Sequence, residues 1–342
     1  MKQCNFKKFI KITKFLLLLL VAFFYYPSHA LAIPLIGTEL ASFSVLAGGY
    51  ATYGAGTTIN GNVGAVGYIT AGANAATFNN YSGAAITYGA GASSLSTNAV
   101  GAVTIGDAAN AGTVGTNISS MEIAFTQFNA AKSALKKMGK GHVLDATMGG
   151  NISLIPGVYS SSAITTAAGT VLTLDGNGVA NPYWVFNIDT YLVTGANTEV
   201  QFETGTKNAS VFWNTGGYTT LGANTSLFGV VLASEYIVEG AGATISCGNA
   251  FSLSYIGVGA NGTTSASNCA GSLKGMSGGL DIVDGVAVAS PAFKDVVVDS
   301  PASPSSVSEV PEPDSYVLLL VGLSMMIVVN RRRKNKVTVQ PL

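Results

Sequence analysis

The sequence predicts a mainly β protein, a three-sided β-solenoid with one long α-helix packed alongside it. Three observations predict this fold. A Gly-Ala step recurs along the chain, apolar residues stand at fixed distances on either side of the step, and one segment has the spacing of an amphipathic helix instead. The 42 Gly and the charged fraction of only 10% are typical neither of a disordered chain nor of an ordinary cytosolic enzyme.

The Gly-Ala step sets the period of the solenoid. Its first small residue lies at positions 54, 71, 89, 167, 195, 222 and 240, so the shorter intervals are 17 or 18 residues and the longer ones 27 or 28. An interval of 18 suits one coil with three sides, and a longer interval indicates a coil with an inserted loop. Because small residues permit a tight bend, the step is predicted to form a corner.

Two apolar columns flank the step and are predicted to point inward, because alternate residues of a strand face one side. Five residues after the first small residue the column contains Ile59, Leu172, Val200, Leu227 and Ile245. Three residues before it the column contains Tyr68, Ile86, Ile164, Leu192 and Ile237, with Thr219 as the exception.

The helix is predicted to begin at Ser119, which offers a capping box with Glu122, and to end at Gly139. Lys132, Lys136 and Lys137 suit the dipole of its last turns. Its apolar stripe is predicted to pack along the solenoid and contains Ile123, Phe128, Ala131, Leu135 and Met138.

Residues 1–32 are predicted to be a secretory signal peptide. Five Lys precede an apolar run over residues 15–26, and the small-x-small site Ala30-Leu31-Ala32 follows. The alternative is an uncleaved membrane helix, although the run is short for a span. The body is predicted over residues 33–285, followed by a Ser/Pro-rich linker over residues 286–310.

Residues 311–336 combine Pro311-Glu312-Pro313, a short apolar segment over residues 316–329 and the basic cluster Arg331-Arg332-Arg333-Lys334. This arrangement strongly resembles the PEP-CTERM sorting signal. The resemblance implies a Gram-negative bacterium, an exosortase-type sorting enzyme at the inner membrane and an association with exopolysaccharide, so the protein is expected at the cell surface or secreted. The alternative is a simple transmembrane tail anchor.

The body is acidic and lacks the groups of common active sites. Residues 33–309 contain seven Lys/Arg and 15 Asp/Glu, which argues against nucleic-acid binding. After signal cleavage His142 is the remaining His, and no Cys/His cluster has metal spacing, so we expect no enzyme, no metal and no cofactor. Cys247 and Cys269 are predicted to form a disulfide in an oxidising compartment, with two buried thiols as the alternative.

Several short motifs occur in the order found in the bacterial and fungal ice-binding-protein-like family, which the chain resembles over about residues 35–260. They are Phe43-Ser-Val-Leu-Ala-Gly, Gly61-Asn-Val-Gly, Leu154-Ile-Pro-Gly-Val-Tyr159, Leu172-Thr-Leu-Asp-Gly176, Trp184-Val-Phe-Asn-Ile188, Val211-Phe-Trp213 and Leu221-Gly-Ala-Asn224. The resemblance implies a right-handed, discontinuous solenoid whose N-terminal part completes the stack beside the C-terminal part.

Ice-binding members of that family use a flat face of small polar residues, often Thr-Ala/Gly-x-Thr/Asn, and Thr194-Gly-Ala-Asn197 matches this pattern once. The residues predicted to face a ligand are Thr52, Thr58, Tyr191, Val193, Thr194, Asn197, Tyr218, Thr220, Asn224, Tyr236 and Thr244. A second Thr column is predicted to be a buried ladder, because it lies two residues before an inward column, and contains Thr57, Thr170, Thr198 and Thr225.

The Tyr column leaves two interpretations open. Tyr50, Tyr191, Tyr218 and Tyr236 can stack on one another and stabilise the coils, or they can stack against sugar rings. The first functional hypothesis is therefore an exported ice-binding protein that inhibits ice recrystallisation. The second is a non-enzymatic surface or matrix protein that binds exopolysaccharide.

Overall fold

The computed structural model describes residues 32–41, 43–60, 62–66, 69–71, 77–79, 86–88, 103–105, 118–206, 208–265 and 279–290. These residues form three parallel sheets, one small antiparallel sheet and two helices. From residue 142 to residue 265 the chain enters the three parallel sheets in turn and then returns to the first. The predicted mainly β fold with three sides is confirmed, and its right-handed sense stays a prediction.

Each parallel sheet contains one described strand from nearly every coil. The first sheet contains, in spatial order, His142–Val143, Gly157–Ser161, Tyr183–Ile188, Ser210–Thr215, Val230–Ala233, Ala250–Ser252, Phe43–Ala47, Asn62–Ala65 and Val103–Ile105. The second contains Thr147–Met148, Ile164–Thr166, Leu192–Val193, Thr219–Leu221, Ile237–Glu239, Ile256–Val258, Ala51–Tyr53, Ile69–Ala71 and Ile86–Tyr88. The third contains Asn151–Leu154, Val171–Leu174, Glu199–Phe202, Ser226–Phe228, Thr244–Ser246, Thr263–Ser265, Thr58–Asn60 and Thr77–Asn79.

The stack is discontinuous in sequence, as the resemblance implied. Ala51–Tyr53 pairs with Ile256–Val258 in the second sheet, and Thr58–Asn60 pairs with Thr263–Ser265 in the third. We call these two pairings the seam. The N-terminal strands therefore continue the C-terminal coils through ordinary parallel hydrogen bonding, although about 200 residues separate the paired strands in sequence.

Both predicted inward columns line the core. Of their members, Tyr68 lies outside the described residues, as does the side chain of Ile86, and all the others are buried. An aromatic stack adds to this core beneath the first sheet: Phe186 lies 4.1 Å from Trp213 and 5.5 Å from Tyr159, measured between ring centroids. The indole nitrogen of Trp213 donates a 2.8 Å hydrogen bond to the carbonyl of Phe228, so its polar atom is satisfied inside the core.

The long helix, Ile118–Lys137, covers the outer surface of the first sheet. Its buried residues pack against apolar side chains of that sheet, among them Val185, Phe212 and Phe251. Three details differ from the prediction. The helix begins at Ile118, so Ser119 lies inside its first turn, and Ile123 is 48% exposed because the buried stripe runs through Met121 and Ala124 instead. A short helix, Thr38–Ala41, also packs against the long one.

Lys132 is hydrogen-bonded to the first sheet of the solenoid and does not extend into solvent at the end of the helix. Its ammonium donates hydrogen bonds to Asn214 Oδ1 at 2.8 Å, the Thr215 carbonyl at 2.6 Å and the Leu232 carbonyl at 2.9 Å. Asn187 donates to the carbonyl of Leu135 in the same helix at 2.8 Å. This polar attachment makes the first sheet unavailable as a ligand face.

The two ends of the body meet in the small antiparallel sheet. Ile33–Pro34 pairs with Leu280–Val283, which pairs with Val286–Ala289. The last of these strands falls in the range predicted as linker, so the predicted boundary at residue 285 is wrong and the body extends to Ser290. We use residues 33–290 as the body below.

The predicted signal peptide up to residue 31 and the sorting signal lie outside the described residues. Among the helices that the structure does describe, none combines the length and the apolar character needed to cross a membrane. Cys247 is disulfide-bonded, and Cys269, its predicted partner, lies outside the described residues.

Replacing Gly222 with Ala tests the corner. A Cβ at this position would lie 2.6 Å from the carbonyl carbon of Gly195 and 2.7 Å from the nitrogen of Ala196 in the neighbouring coil. Because both are backbone atoms, we expect Gly222→Ala to lower the free energy of unfolding of the body by about 3 kcal/mol in chemical denaturation. The neighbouring exposed change Ala223→Ser should alter it by less than about 0.5 kcal/mol. Equal effects of the two changes would contradict the corner assignment.

Candidate functional site

The outer surface of the second sheet carries one side chain from each strand in a single column. Successive members are paired in register, so they repeat every ~4.8 Å along the solenoid. The described column contains Thr147, Thr165, Val193, Thr220, Val238, Gly257 and Thr52. We call this surface the second-sheet face. None of these seven residues is charged, and apart from Gly257 they are half-buried or exposed.

A row of tyrosines borders this face, each one residue before a strand of the second sheet. Tyr218 stacks on Tyr191 at 5.3 Å and on Tyr236 at 4.8 Å between centroids, with interplanar angles of 15° and 9°. Both faces of the Tyr218 ring are therefore covered by its neighbours. This weighs against sugar stacking at Tyr218, because such stacking needs a free ring face.

Tyr236 of this row is uncharged at neutral pH. Partial burial raises the pKa of Tyr236, and Tyr218 and Glu235 raise it further. Tyr236 therefore adds a phenol hydroxyl, not a charge, to the border of the second-sheet face.

Tyr255 continues this row and was missed by the sequence reasoning. Its ring lies over Gly257, because a Cβ on Gly257 would lie 2.0 Å from the Tyr255 hydroxyl oxygen. That hydroxyl is 2.8 Å from Thr52 Oγ1, within hydrogen-bonding distance. Tyr255 thus fills the gap that Gly257 leaves in the column. The available signal was its position one residue before Ile256–Val258, the same position that Tyr236 occupies before its own strand.

Asn197 and Asn224 lie on the corner between the second and third sheets and are exposed. Both have the left-handed backbone conformation, with φ of 57° and 55°, and so does Asn261 at 56° in a later coil. Asn tolerates this conformation better than other side chains, so the turn explains the residue type. Asn224 also donates to Asn197 Oδ1 at 3.3 Å, which forms a short amide row beside the second-sheet face.

Thr58 and Thr244 belong to a different surface. They are outward residues of the third sheet, with Thr263 between them in register. Further along the same column stands the exposed Glu199, which makes this surface less uniform than the second-sheet face. The residues predicted for one face are therefore divided between two faces and a corner.

Thr194 is buried, so its predicted placement on a ligand face is wrong. It is 5% exposed, its hydroxyl accepts from the Gly222 nitrogen at 2.9 Å, and the same hydroxyl lies 2.9 Å from that of Thr225. The reason is strand alternation, since Thr194 follows the outward Val193. The Thr column predicted to be internal is buried as expected, and in it Thr198 donates to the carbonyl of Gly195 at 2.8 Å.

No group of three or more His, Cys, Asp or Glu able to hold a metal ion occurs among the described residues. His142 is exposed and its ring contacts Tyr159 at 5.4 Å between centroids. The surface that the structure offers is thus a regular, uncharged sheet face without catalytic groups in its column.

Comparison of the sequence with protein families and with known proteins gives matches that all carry an ice-binding description. The profile described as Ice-binding-like matches residues 45–264. A protein of Nostoc sp. (strain HG1) named "Ice-binding protein" is 38% identical over 101 residues, which cover 30% of this chain and 37% of that protein. "Ice-binding protein 1" of Shewanella frigidimarina is 33% identical over 98 residues, 28% of this chain and 11% of that protein. The chain thus matches well under half of the length of these two relatives.

Among solved structures, the ice-binding protein of the Antarctic ascomycete Antarctomyces psychrotrophicus has 28% identity and a TM-score of 0.50, covering 67% of this chain and 97% of that one. A domain of Shewanella frigidimarina ice-binding protein 1 has 23% identity and a TM-score of 0.52, covering 70% of this chain and 99% of that one. The second likeness concerns the fold alone. Nearly the whole of each solved chain corresponds to the solenoid described above.

Proposed function

This chain belongs to the ice-binding-like family, and from that premise we propose that it binds ice through the second-sheet face and inhibits ice recrystallisation. The observation that carries the proposal is the in-register column of seven uncharged outer residues on this face. The first sheet is covered by the long helix, and the corresponding column of the third sheet contains Glu199.

A regular column suits ice because ice presents the same water arrangement at every lattice repeat. Parallel strands hold Thr220, Val193 and their neighbours at a constant separation, so each coil meets the lattice in an equivalent way. Threonine offers both a methyl group and a hydroxyl, which lets it exclude and order water together. A charged side chain would instead retain its own hydration shell.

The borders of the face support this function. The stacked tyrosines hold one edge through ring contacts, and the amide row of Asn197 and Asn224 occupies the opposite corner. Inside the corner, buried threonine hydroxyls are hydrogen-bonded, as between Thr166 and Thr198 at 2.8 Å. A surface held on both edges keeps its flatness against a rigid partner.

An ice-recrystallisation assay on the purified body tests the proposal. We expect crystals in a frozen sucrose solution to keep their initial size when the protein is present at micromolar concentration. The same sample after irreversible heat denaturation is the control. Unchanged crystal growth at high micromolar concentration, together with no thermal hysteresis, would refute ice binding.

Export is the second part of the proposal. Signal peptidase removes residues 1–32, and an exosortase-type enzyme recognises residues 311–336, so that the body reaches the cell surface or the medium. The basic, apolar and small-residue order of the N-terminus supports cleavage. N-terminal sequencing of the protein recovered from outside the cells should begin at Ile33. A longer N-terminus that retains residues 15–26 would favour the uncleaved membrane helix.

A further inference from the structure

A glutamate is buried inside the solenoid, directly beneath the second-sheet face. Glu239 is 1% exposed and points inward, one residue after the outward Val238. Its Oε1 accepts a 2.9 Å hydrogen bond from Thr264 Oγ1, and its Oε2 has no hydrogen-bond partner. An ionised carboxylate in such a place is costly, because water is excluded and only one of the two oxygens is satisfied.

Glu239 lies between apolar residues of the second sheet. In the second sheet its neighbours in register are Leu221 on one side and Val258 on the other. The third sheet presents Thr264, and the next inward residue of the second sheet beyond Val258 is Tyr53. Tyr53 is thus the titratable group facing Glu239 from the strands packed against it in the described chain.

The pKa shifts of Glu239 and Tyr53 agree with their buried positions. Burial raises the pKa of Glu239 to about 8, and the hydrogen bond from Thr264 offsets this only in part. Burial and then the Glu239 carboxylate raise the pKa of Tyr53 well above its usual value, so the phenol stays neutral.

Glu239 and its neighbours lie next to the seam. Glu239, Val258 and Tyr53 are successive inward residues of three paired strands, and the last two belong to the seam. Thr264 belongs to the seam in the third sheet, where it pairs with Ile59. The carboxyl group therefore contacts the last coil of the C-terminal part, next to the place where the N-terminal strands join it.

We propose that the protonation state of Glu239 controls whether the seam stays closed. When the carboxyl group carries its proton it is tolerated in the core and the two parts of the solenoid stay joined. When it loses the proton, the unpaired charge draws water into the core and loosens the seam. The seam and the second-sheet face above it are then the first parts of the body to open in alkaline solution.

The direction of the effect follows from linkage. The pKa of the Glu239 carboxyl group is 4.5 in the unfolded chain and about 8 in the folded protein. Between these pH values the folded state therefore binds more protons than the unfolded state. The contribution of Glu239 to stability is therefore fully present below about pH 4.5, falls as the pH rises, and has been lost above about pH 8. Between pH 6 and pH 9 the unfolding constant should rise roughly 100-fold from this group.

The test compares the full chain, purified in a mild detergent, with its Glu239→Gln variant at pH 6 and pH 9. Chemical denaturation gives the unfolding constants, and hydrogen exchange, corrected for the intrinsic effect of pH, locates the opening. Lys132, whose pKa burial lowers to about 7, titrates in the same window with the opposite sign, so the two proteins are compared at each pH. Glu199→Gln, at an exposed site, is the matched control for losing a carboxylate.

We expect the ratio of the wild-type unfolding constant to that of Glu239→Gln to rise roughly 100-fold between pH 6 and pH 9, and the ratio of wild type to Glu199→Gln to stay constant, because the Lys132 effect is common to all three proteins. Exchange at pH 9 should increase in 51–53 and 256–258 more than in 157–174. An equal pH response in Glu239→Gln, or a uniform increase in exchange, would overturn the proposal. If Glu239→Gln does not fold, Thr264→Val serves instead, because removing its hydrogen bond should move the transition to higher pH. Tyr53→Phe should keep the response, and its loss there would assign the response to the phenol.

Discussion

Thr220→Tyr is expected to weaken inhibition of ice recrystallisation strongly while leaving the body folded. Thr220 lies in the middle of the second-sheet face, between Val193 and Val238, and its side chain is half-buried at the surface. A bulky ring there would stand above the column and hold neighbouring coils away from a flat ice surface. Since central contact residues carry most of a binding surface's energy, we expect the effective concentration to rise more than about tenfold.

The matched control is Thr173→Tyr. Thr173 is also a half-buried outward threonine, but it belongs to the third sheet. It should leave recrystallisation inhibition unchanged, and circular dichroism and melting temperature should match the wild type for both variants. Full activity in Thr220→Tyr would contradict the second-sheet face, and loss of activity only in Thr173→Tyr would move the ice-binding surface to the third sheet.

Trp213→Ala is expected to cause the largest loss of stability. Trp213 is 2% exposed, stacks on Phe186 at 4.1 Å and donates its indole hydrogen to the carbonyl of Phe228. Its removal leaves a cavity and takes away the hydrogen bond to the Phe228 carbonyl, so the free energy of unfolding of the body should fall by about 3–5 kcal/mol. Urea denaturation followed by far-ultraviolet circular dichroism measures this change.

Ile123→Ala on the long helix provides the comparison for Trp213→Ala. It also truncates a large apolar side chain, but Ile123 is 48% exposed. The free energy of unfolding should therefore change by less than about 0.5 kcal/mol. If Trp213→Ala cost no more than Ile123→Ala, the aromatic stack would not stabilise the coil in the way described here.

The fold was largely predictable because its signals are local and periodic. The Gly-Ala step recurs since each corner glycine lies against backbone of the adjacent coil, as Gly222 does against Gly195. The inward columns followed from the alternation of strand residues, and the same alternation correctly placed Thr198 and Thr225 inside. The helix could be recognised from its own spacing, although its start and its buried stripe were displaced by a residue or two.

The candidate site was less predictable because a motif does not state which way its side chains point. Thr194 and Asn197 were read together from one motif, yet Thr194 is buried and Asn197 is exposed. Applying the alternation rule from Val193 onward would have placed Thr194 inside. Tyr255 could have been found by extending the tyrosine row, but its contact over Gly257 depends on how two side chains pack.

The sequence by itself determined the repeat, the inward columns, the long helix and the acidic character of the body. These properties depend on neighbours within one coil or on composition. Only the tertiary structure decided which face remains open, where the N-terminal strands join the stack and which oxygen of Glu239 is left without a partner. Those outcomes depend on pairing between strands about 200 residues apart, and no local pattern encodes that distance.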